Sequence, residues 1–444
     1  IAGMGTRQAG SSANAHWVRK SCLSCSITDV MKILYVSQYY PPEIGAPAAR
    51  VSELSGAWAR AGDSVNVLTG FPNHPTGKVP PEYRSKLWRL FMSETRDGVM
   101  VKRTWLLPLP NRKGWERMLN YGSFCISAAL RGLFLDRPDI VIATSPQLLV
   151  GLSGLIIAKF KRVPFVFEVR DLWPESLEAV GVSPKGSLLV RVLGKIAGLL
   201  YRRSDHIVVV TRAFKEHLQL HWNVPAEKIS VVVNGVDDQF FQPQPADPAI
   251  LREFNVGARF VVGYIGTIGN AHGVETLVET ARLLHQSDPE IAIVVVGEGA
   301  DKQKLERLVA ESRLENVKVF PGQPRQRIPA IVAASQVCLV LLRKSELFKT
   351  VIPTKMLEFM SCGRALVAGL EGESAELIKT ADAGICVTPG DAPALAQAIR
   401  SLKNQPQLAR QFAEHGREFI VSKLSRQSTA TEYRLLLKRL CRAG

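Results

Sequence analysis

Four short stretches of this chain gather residue types that handle phosphate groups and protons. In Phe348-Lys-Thr-Val-Ile-Pro-Thr-Lys-Met-Leu-Glu, Pro353 has the fixed φ that suits the first turn of a helix, and Thr350 and Thr354 offer capping hydroxyls. Free N–H groups and the helix dipole at such a start form an anion site able to hold a diphosphate, and Lys355 adds charge to it. Glu358 falls about one helical turn further on, where a carboxylate can bind a ribose diol. Taken alone, these residues also describe an ordinary helix with Glu358 in solvent. In Gly263-Tyr-Ile-Gly-Thr-Ile-Gly-Asn, the turn through Gly266, Thr267, Gly269 and Asn270 lets backbone approach a phosphate. Gly297-Glu-Gly299 is a further strand-end turn placed to touch a nucleotide, and Pro321-Gly-Gln-Pro a weaker one.

Phe167-Glu-Val-Arg-Asp-Leu-Trp-Pro-Glu-Ser carries four ionisable groups in eight residues at a strand end. Alternation places Glu168 and Arg170 on one face, with Asp171 and Glu175 in the following loop. A carboxylate there could take an acceptor hydroxyl proton or stabilise oxocarbenium charge. Asp171 is the first candidate for that role, Glu175 the second, and Arg170 an orienting or phosphate-facing partner. The competing reading is a structural Arg–Asp–Glu network. The fourth stretch, Tyr39-Tyr-Pro-Pro-Glu-Ile-Gly-Ala-Pro, joins a strand to a helix as a Pro-rich loop that holds Glu43, Gly45 and Ala46.

These stretches need elements to position them. From Met31 onward, short β-branched runs alternate with helical patterns: seven runs between Ile33 and Asn234, then six between Phe260 and Val387. Continuous apolar runs indicate strands buried on both faces of parallel sheets, hence an α/β protein with doubly wound sheets. Gln239-Phe-Phe-Gln-Pro-Gln-Pro-Ala-Asp breaks both periodicities, as an interdomain linker does. The reading gives a non-native or disordered N-terminal extension over 1–30, a first domain over 31–240, a second over 241–425, and a closing helix over 426–444 that returns toward the first domain. A length of 444 residues fits two domains.

Between the Met31-Lys-Ile-Leu-Tyr-Val opening and Gly416-Arg-Glu-Phe with Tyr433, the ordered motifs resemble glycosyltransferase family 4. The resemblance implies a GT-B fold whose two Rossmann-like domains face a cleft, 31–240 binding the acceptor and 241–425 the donor, with Glu43, Gly45 and Ala46 in a loop over the acceptor, and metal-independent, retaining transfer from a nucleotide sugar. Glu358 matches the second glutamate of the family's paired motif, Cys362-Gly-Arg-Ala-Leu-Val its turn into a strand, and Gly45-Ala46 its usual Gly-Gly loop. Three positions depart. Thr350 replaces the first glutamate, so that Thr350, Lys349 or Glu346 must take its part. Thr267 and His272 replace an Arg and a Lys that clamp the diphosphate, leaving Arg343, Lys349 or Lys355 to supply charge. Pro353-Thr-Lys and Arg170-Asp-Leu-Trp-Pro-Glu-Ser resemble the branch that builds bacterial surface polysaccharides such as colanic acid and O-antigen. That branch implies a UDP-linked, N-acetylated amino sugar and a lipid-linked or saccharide acceptor. A UDP-sugar 2-epimerase of GT-B fold and a non-catalytic sugar-nucleotide-binding module are the alternatives.

Bulk composition narrows the setting. Apolar residues make up 46% of the chain and charged residues 22%, as in an ordinary globular protein, and no apolar run reaches the roughly 18 residues that cross a bilayer. The net charge of +16 concentrates in Lys78–Arg117, with ten basic against four acidic residues, and in the tail from Lys403, with nine against three. Trp88, Phe91, Trp105 and Trp115 lie in or beside the first stretch, a mixture that suits peripheral contact with an anionic membrane as well as a solvated basic face. No nucleic-acid-binding signature accompanies the charge. Seven scattered cysteines fit a reducing, cytoplasmic location. Without an Asp-x-Asp, an HxH or paired CxxC motifs, neither metal nor cofactor is expected.

Overall fold

The computed structural model describes residues 30–443 except 44, 75, 110–113, 176–186 and 258. The expected extension over 1–30 lies outside them, save Val30. Fourteen described strands form two sheets. The first contains β1 (Lys32–Val36), β2 (Ser64–Gly70), β3 (Phe91–Arg96), β4 (Val99–Thr104), β5 (Ile140–Thr144), β6 (Phe165–Val169), β7 (His206–Val209) and β8 (Ile229–Val231), in the order β3-β4-β2-β1-β5-β6-β7-β8. The second contains β9 (Phe260–Ile265), β10 (Ile291–Val296), β11 (Val317–Phe320), β12 (Val337–Leu341), β13 (Ala365–Gly369) and β14 (Gly384–Val387), in the order β11-β10-β9-β12-β13-β14. All pairings are parallel except β3 with β4.

The helices that shape the site are α1 (Ala46–Arg60), α2 (Gly114–Leu133), α3 (Leu149–Lys161), α4 (Leu188–Arg203), α5 (Arg212–Trp222), α6 (Val274–Ser287), α7 (Thr354–Ser361) and α8 (Arg426–Ala443). Strand alternation divides the first sheet into two cores. Leu34, Val36, Val141 and Phe167 meet α2, α3, α4 and α5 on one side. Ile33, Tyr35, Ile142 and Val166 meet α1 and α8 on the other.

One strand was not expected. β3 alternates in exposure and is polar on one face, so it lacks the continuous apolar run of a buried parallel strand. It pairs with β4 through Asp97-Gly98, both at positive φ (53° and 78°), as a two-residue hairpin turn requires.

The chain crosses between the sheets twice, and the two crossings are joined. Val236 N–H donates to Leu424 O, and Arg426 N–H to Val236 O, both at 2.9 Å. Gly235 is needed there, since a Cβ would lie 2.8 Å from Thr429 Oγ1 and 2.9 Å from Arg426 Cα. After the second crossing α8 packs on α1: Trp58 Nε1–H donates to Ala430 O at 2.9 Å, and Tyr433, Leu436 and Leu437 enter the core under α1.

Candidate active site

A pocket of about 510 Å3 opens at the carboxyl ends of β9 and β10, beside the start of α7. Gly266, Thr267, His272, Gly297, Gly322, Pro353, Thr354, Lys355 and Glu358 line it. Two glycine turns form its floor by locking together. Ile268 N–H donates to Glu298 O at 2.9 Å and Asp301 N–H to Ile268 O at 3.0 Å. A Cβ on Gly297 would stand 1.9 Å from Gly266 O, and one on Gly299 2.1 Å from Ile268 O. Turn-on-turn packing therefore accounts for both glycines. Gly299 does not itself line the pocket.

Pro353 is the N-cap of α7, one position earlier than expected, and no side chain caps the helix. The expected hydroxyl cap is absent, because Thr350 Oγ1 donates to Leu347 O at 2.7 Å instead. Behind the helix start lies Lys355, only 9% exposed, whose Nζ has no hydrogen-bond partner. The ammonium stands 4.1 Å from the Tyr264 ring centroid, and Burial pushes it down to about 7. Burial likewise pushes His272 down to about 4, with Lys355 adding to the shift. A cationic group buried without a partner costs free energy unless an anion completes it. Glu358 is one turn further along α7. Burial raises its pKa, opposed by Arg325 and Arg426.

A second pocket, of about 260 Å3, lies between the two sheets and shares Gln323, Ile328, Thr354 and Glu358 with the first. Its N-terminal wall is Gly45, Ala46, Arg50, Glu53 and Arg170; Arg325 and Arg426 face them. Gly45, at φ +147°, caps α1 without a side-chain bond. Arg170 holds this turn, its guanidinium donating to Ala46 O at 3.2 Å and Pro47 O at 3.4 Å, while its Nε has no partner. Burial, with repulsion from Arg50, pushes Arg170 down to about 10. Glu53 bonds Arg426 and, at 3.5 Å, Arg325, so ion pairs span the cleft; burial nevertheless pushes Glu53 up to about 7. Arg325 also stacks over Phe240 and Phe241.

Several expected site residues are engaged elsewhere. Glu168 belongs to the structural reading: it accepts from Arg50 Nε and Nη2 at 3.0 and 2.9 Å and from Tyr35 Oη at 2.6 Å. Glu175 accepts from His217 Nε2 at 3.1 Å and Trp222 Nε1 at 3.2 Å, which turns it toward α5. Asp171 lines neither pocket, and its charge, with that of Glu175, acts on the buried Tyr201 hydroxyl. Of that motif, Arg170 is the group that faces the cleft. Glu43 is a buried staple rather than an acceptor contact: its Oε1 accepts from Asn73 N–H and His74 N–H, both at 2.9 Å, and burial pushes it up to about 7.

In the second domain, Arg343 lines neither pocket. It lies on the outer surface, donating to Glu275 of α6 at 3.0 Å. Lys349 pairs with Glu346 and Glu371. Thr350 turns its carbonyl to Thr211 Oγ1 of the first domain at 2.9 Å. Gly269 bonds His272, and Asn270, its amide oriented to donate, reaches Asp301 at 2.7 Å. Sequence reasoning missed Arg50, Glu53, Arg325 and Arg426. Arg325 follows directly on the Pro321-Gly-Gln-Pro turn, whereas Arg426 reaches the cleft because α8 returns. No cluster of His, Cys, Asp and Glu able to hold a metal occurs among the described residues.

Comparison with known proteins agrees with this layout. The family model "Glycosyl transferase 4-like domain" matches residues 45–235 and "Glycosyl transferases group 1" matches residues 250–419. The chain is 27% identical over 405 residues to WcaI of Escherichia coli K12, a protein assigned to colanic acid biosynthesis as a glycosyl transferase. That alignment covers 86% of this chain and 96% of WcaI. Sucrose-phosphate synthase of Thermosynechococcus elongatus superposes with a TM-score of 0.72 at 19% identity, covering 93% of this chain and 99% of that one. HepE of Anabaena, solved in complex with UDP, gives 0.67 at 17%, covering 92% and 100%. With one matched model on each sheet domain and the same two-sheet architecture, the chain belongs to the family 4 glycosyltransferases of GT-B fold, enzymes that transfer sugars.

Proposed function

We propose that the enzyme transfers a sugar, in the first instance an N-acetylated amino sugar, from a UDP donor to a lipid-linked or saccharide acceptor in surface-polysaccharide synthesis, with retention at the anomeric carbon. The observation that carries the reading is Lys355, a buried ammonium without a partner at the uncapped start of α7, with Glu358 one turn on. A diphosphate in this pocket meets the helix N–H groups and Lys355, and Glu358 takes the ribose. Charge missing at Thr267 and His272 then comes from Lys355 on one side and Arg170 on the other. The assignment of WcaI to colanic acid biosynthesis and the HepE complexes with UDP and UDP-glucose support the donor and product class.

In this reading the acceptor hydroxyl attacks from the face that the diphosphate leaves. The C1–O bond to the diphosphate breaks as the C1–O bond to the acceptor forms, and a diphosphate oxygen takes the hydroxyl proton. No protein nucleophile and no metal is required, since Lys355, Arg170 and the helix start carry the departing charge.

The test is a melting-temperature panel with UDP-N-acetylglucosamine, UDP-glucose and GDP-mannose, followed by transfer to a lipid-diphosphate acceptor and NMR of the product's anomeric coupling. Stabilisation by the UDP-amino sugar above the others and retained configuration are expected. An inverted product, or preference for GDP-mannose, would sink the proposal.

A further inference from the structure

The helices covering one side of the first sheet are apolar on their outer faces too. In α2, Trp115, Leu119, Ile126 and Leu130 are all exposed, and their spacing places them on one side of the helix. In α4, Leu188, Val192 and Leu199 repeat the same intervals and are also exposed. Between these helices lies α3, in contact with both, presenting Ile156 and Phe160. The inner faces of all three helices share one core with the sheet, so their outer faces form one continuous surface. Phe134, just beyond α2, is 81% exposed at its edge.

The charge on this surface has one sign over most of its area. The sequences of α3 and α4 contain no Asp or Glu; they expose Lys159, Arg191, Lys195, Arg202 and Arg203, while Lys161 Nζ turns inward to donate to Leu133 O at 2.7 Å. Arg131 of α2 stands 4.4 Å over the Phe91 ring, so the exposed Trp88, Leu90 and Phe91 lie beside α2. A contiguous apolar patch on this scale marks an interaction surface. Its basic rim excludes pairing with a second copy of itself, which would set like charges together. A partner offering phosphate alone would leave Ile126, Phe160 and Leu188 in water.

We propose that the outer face of α2, α3 and α4 docks on an anionic lipid bilayer. The apolar side chains enter the headgroup boundary and the Lys and Arg side chains meet lipid phosphates. No helix among the described residues is long and apolar enough to cross a membrane, so the contact lies in the plane of the surface. This surface is distinct from the donor pocket, and its occupancy is independent of which sugar is transferred.

Vesicle flotation of the full chain tests the proposal. Phosphatidylcholine vesicles containing phosphatidylglycerol should carry the protein, pure phosphatidylcholine should carry at least about tenfold less, and salt at about 1 M should release it as screening shortens to about 3 Å. Ile126→Asp with Phe160→Asp should abolish flotation, and Arg191→Glu with Lys195→Glu should weaken it about tenfold or more. Both double variants alter exposed side chains, so an unchanged melting temperature and an unchanged response to the sugar nucleotide confirm folding. Equal binding to neutral and anionic vesicles overturns the inference. So does absence of binding, or a dimer that Ile126→Asp dissociates.

Discussion

Each domain holds a buried charged cluster near the carboxyl ends of its strands, and the two are finished differently. In the first, Glu168 has no exposure and accepts from Arg50 and Tyr35, while Arg50 also donates to the carbonyls of Val232 and Val233 at 3.0 Å. Arg50 holds Glu168 below the usual carboxylate range against the cost of burial. In the second, Lys355 is nearly as deep but bonds nothing, and burial alone drives it toward neutrality. A closed network fixes a core; an open one waits for a ligand. Of these two clusters, the one with incomplete hydrogen bonding is the one that opens into the larger pocket.

The contrast can be broken most forcefully at Arg50. Arg50→Ala strands the Glu168 carboxylate, and the expected loss is about 3–5 kcal/mol of stability in urea denaturation. A loss under about 1 kcal/mol would erase the distinction between the clusters. Lys355→Met should do the reverse, leaving stability equal or higher while donor affinity by calorimetry falls about ten- to a hundredfold. An unchanged affinity would remove Lys355 from the site.

Proton linkage sharpens the same point. The folded-state pKa of Lys355 is lowered to about 7, against roughly 10.4 in an unfolded chain. Below about 7 both states are protonated and the burial penalty is complete. Between about 7 and 10.4 the unfolded chain holds the extra proton, so stability of the wild type should rise with pH relative to Lys355→Met. Binding a diphosphate restores the charge. Donor binding near pH 8 should therefore take up a proton, seen as a buffer-dependent calorimetric enthalpy, and affinity should weaken as pH climbs above about 7.

Glu358→Gln should reduce donor affinity about tenfold, through loss of a charged hydrogen bond to the ribose. The smallest effect is expected at Glu175→Gln: about 1 kcal/mol in melting experiments, from weaker bonds to His217 and Trp222, with turnover unchanged. A fall in turnover without a fall in stability would return Glu175 to the catalytic role.

Much of the architecture was legible because buried parallel strands write continuous β-branched runs, as in Ile291–Val296. The exception, Phe91–Arg96, is an edge strand whose only strong mark is Asp97-Gly98. The helix start beside the larger pocket was legible from Pro353, Lys355 and Glu358, all of which line it. Side-chain direction was not. Arg343, Thr350 and Glu43 stand beside the right turns in sequence, but packing aims them at Glu275, Leu347 and the backbone of Asn73. Gly297 and Gly299 announced a special backbone without revealing that its cause is another loop. Arg325 and Arg426 could not be placed, because the cleft takes them from segments far apart in the chain.

The return of α8 also orders events in time. Tyr433, Leu436 and Leu437 complete the core beneath α1, whose other parts have been synthesised long before. At about 5–20 residues per second, the stretch from 240 to 430 takes roughly 10–40 seconds to emerge. Throughout that interval the nascent first domain lacks part of its hydrophobic interior, so a segment synthesised after the second domain closes the earlier fold.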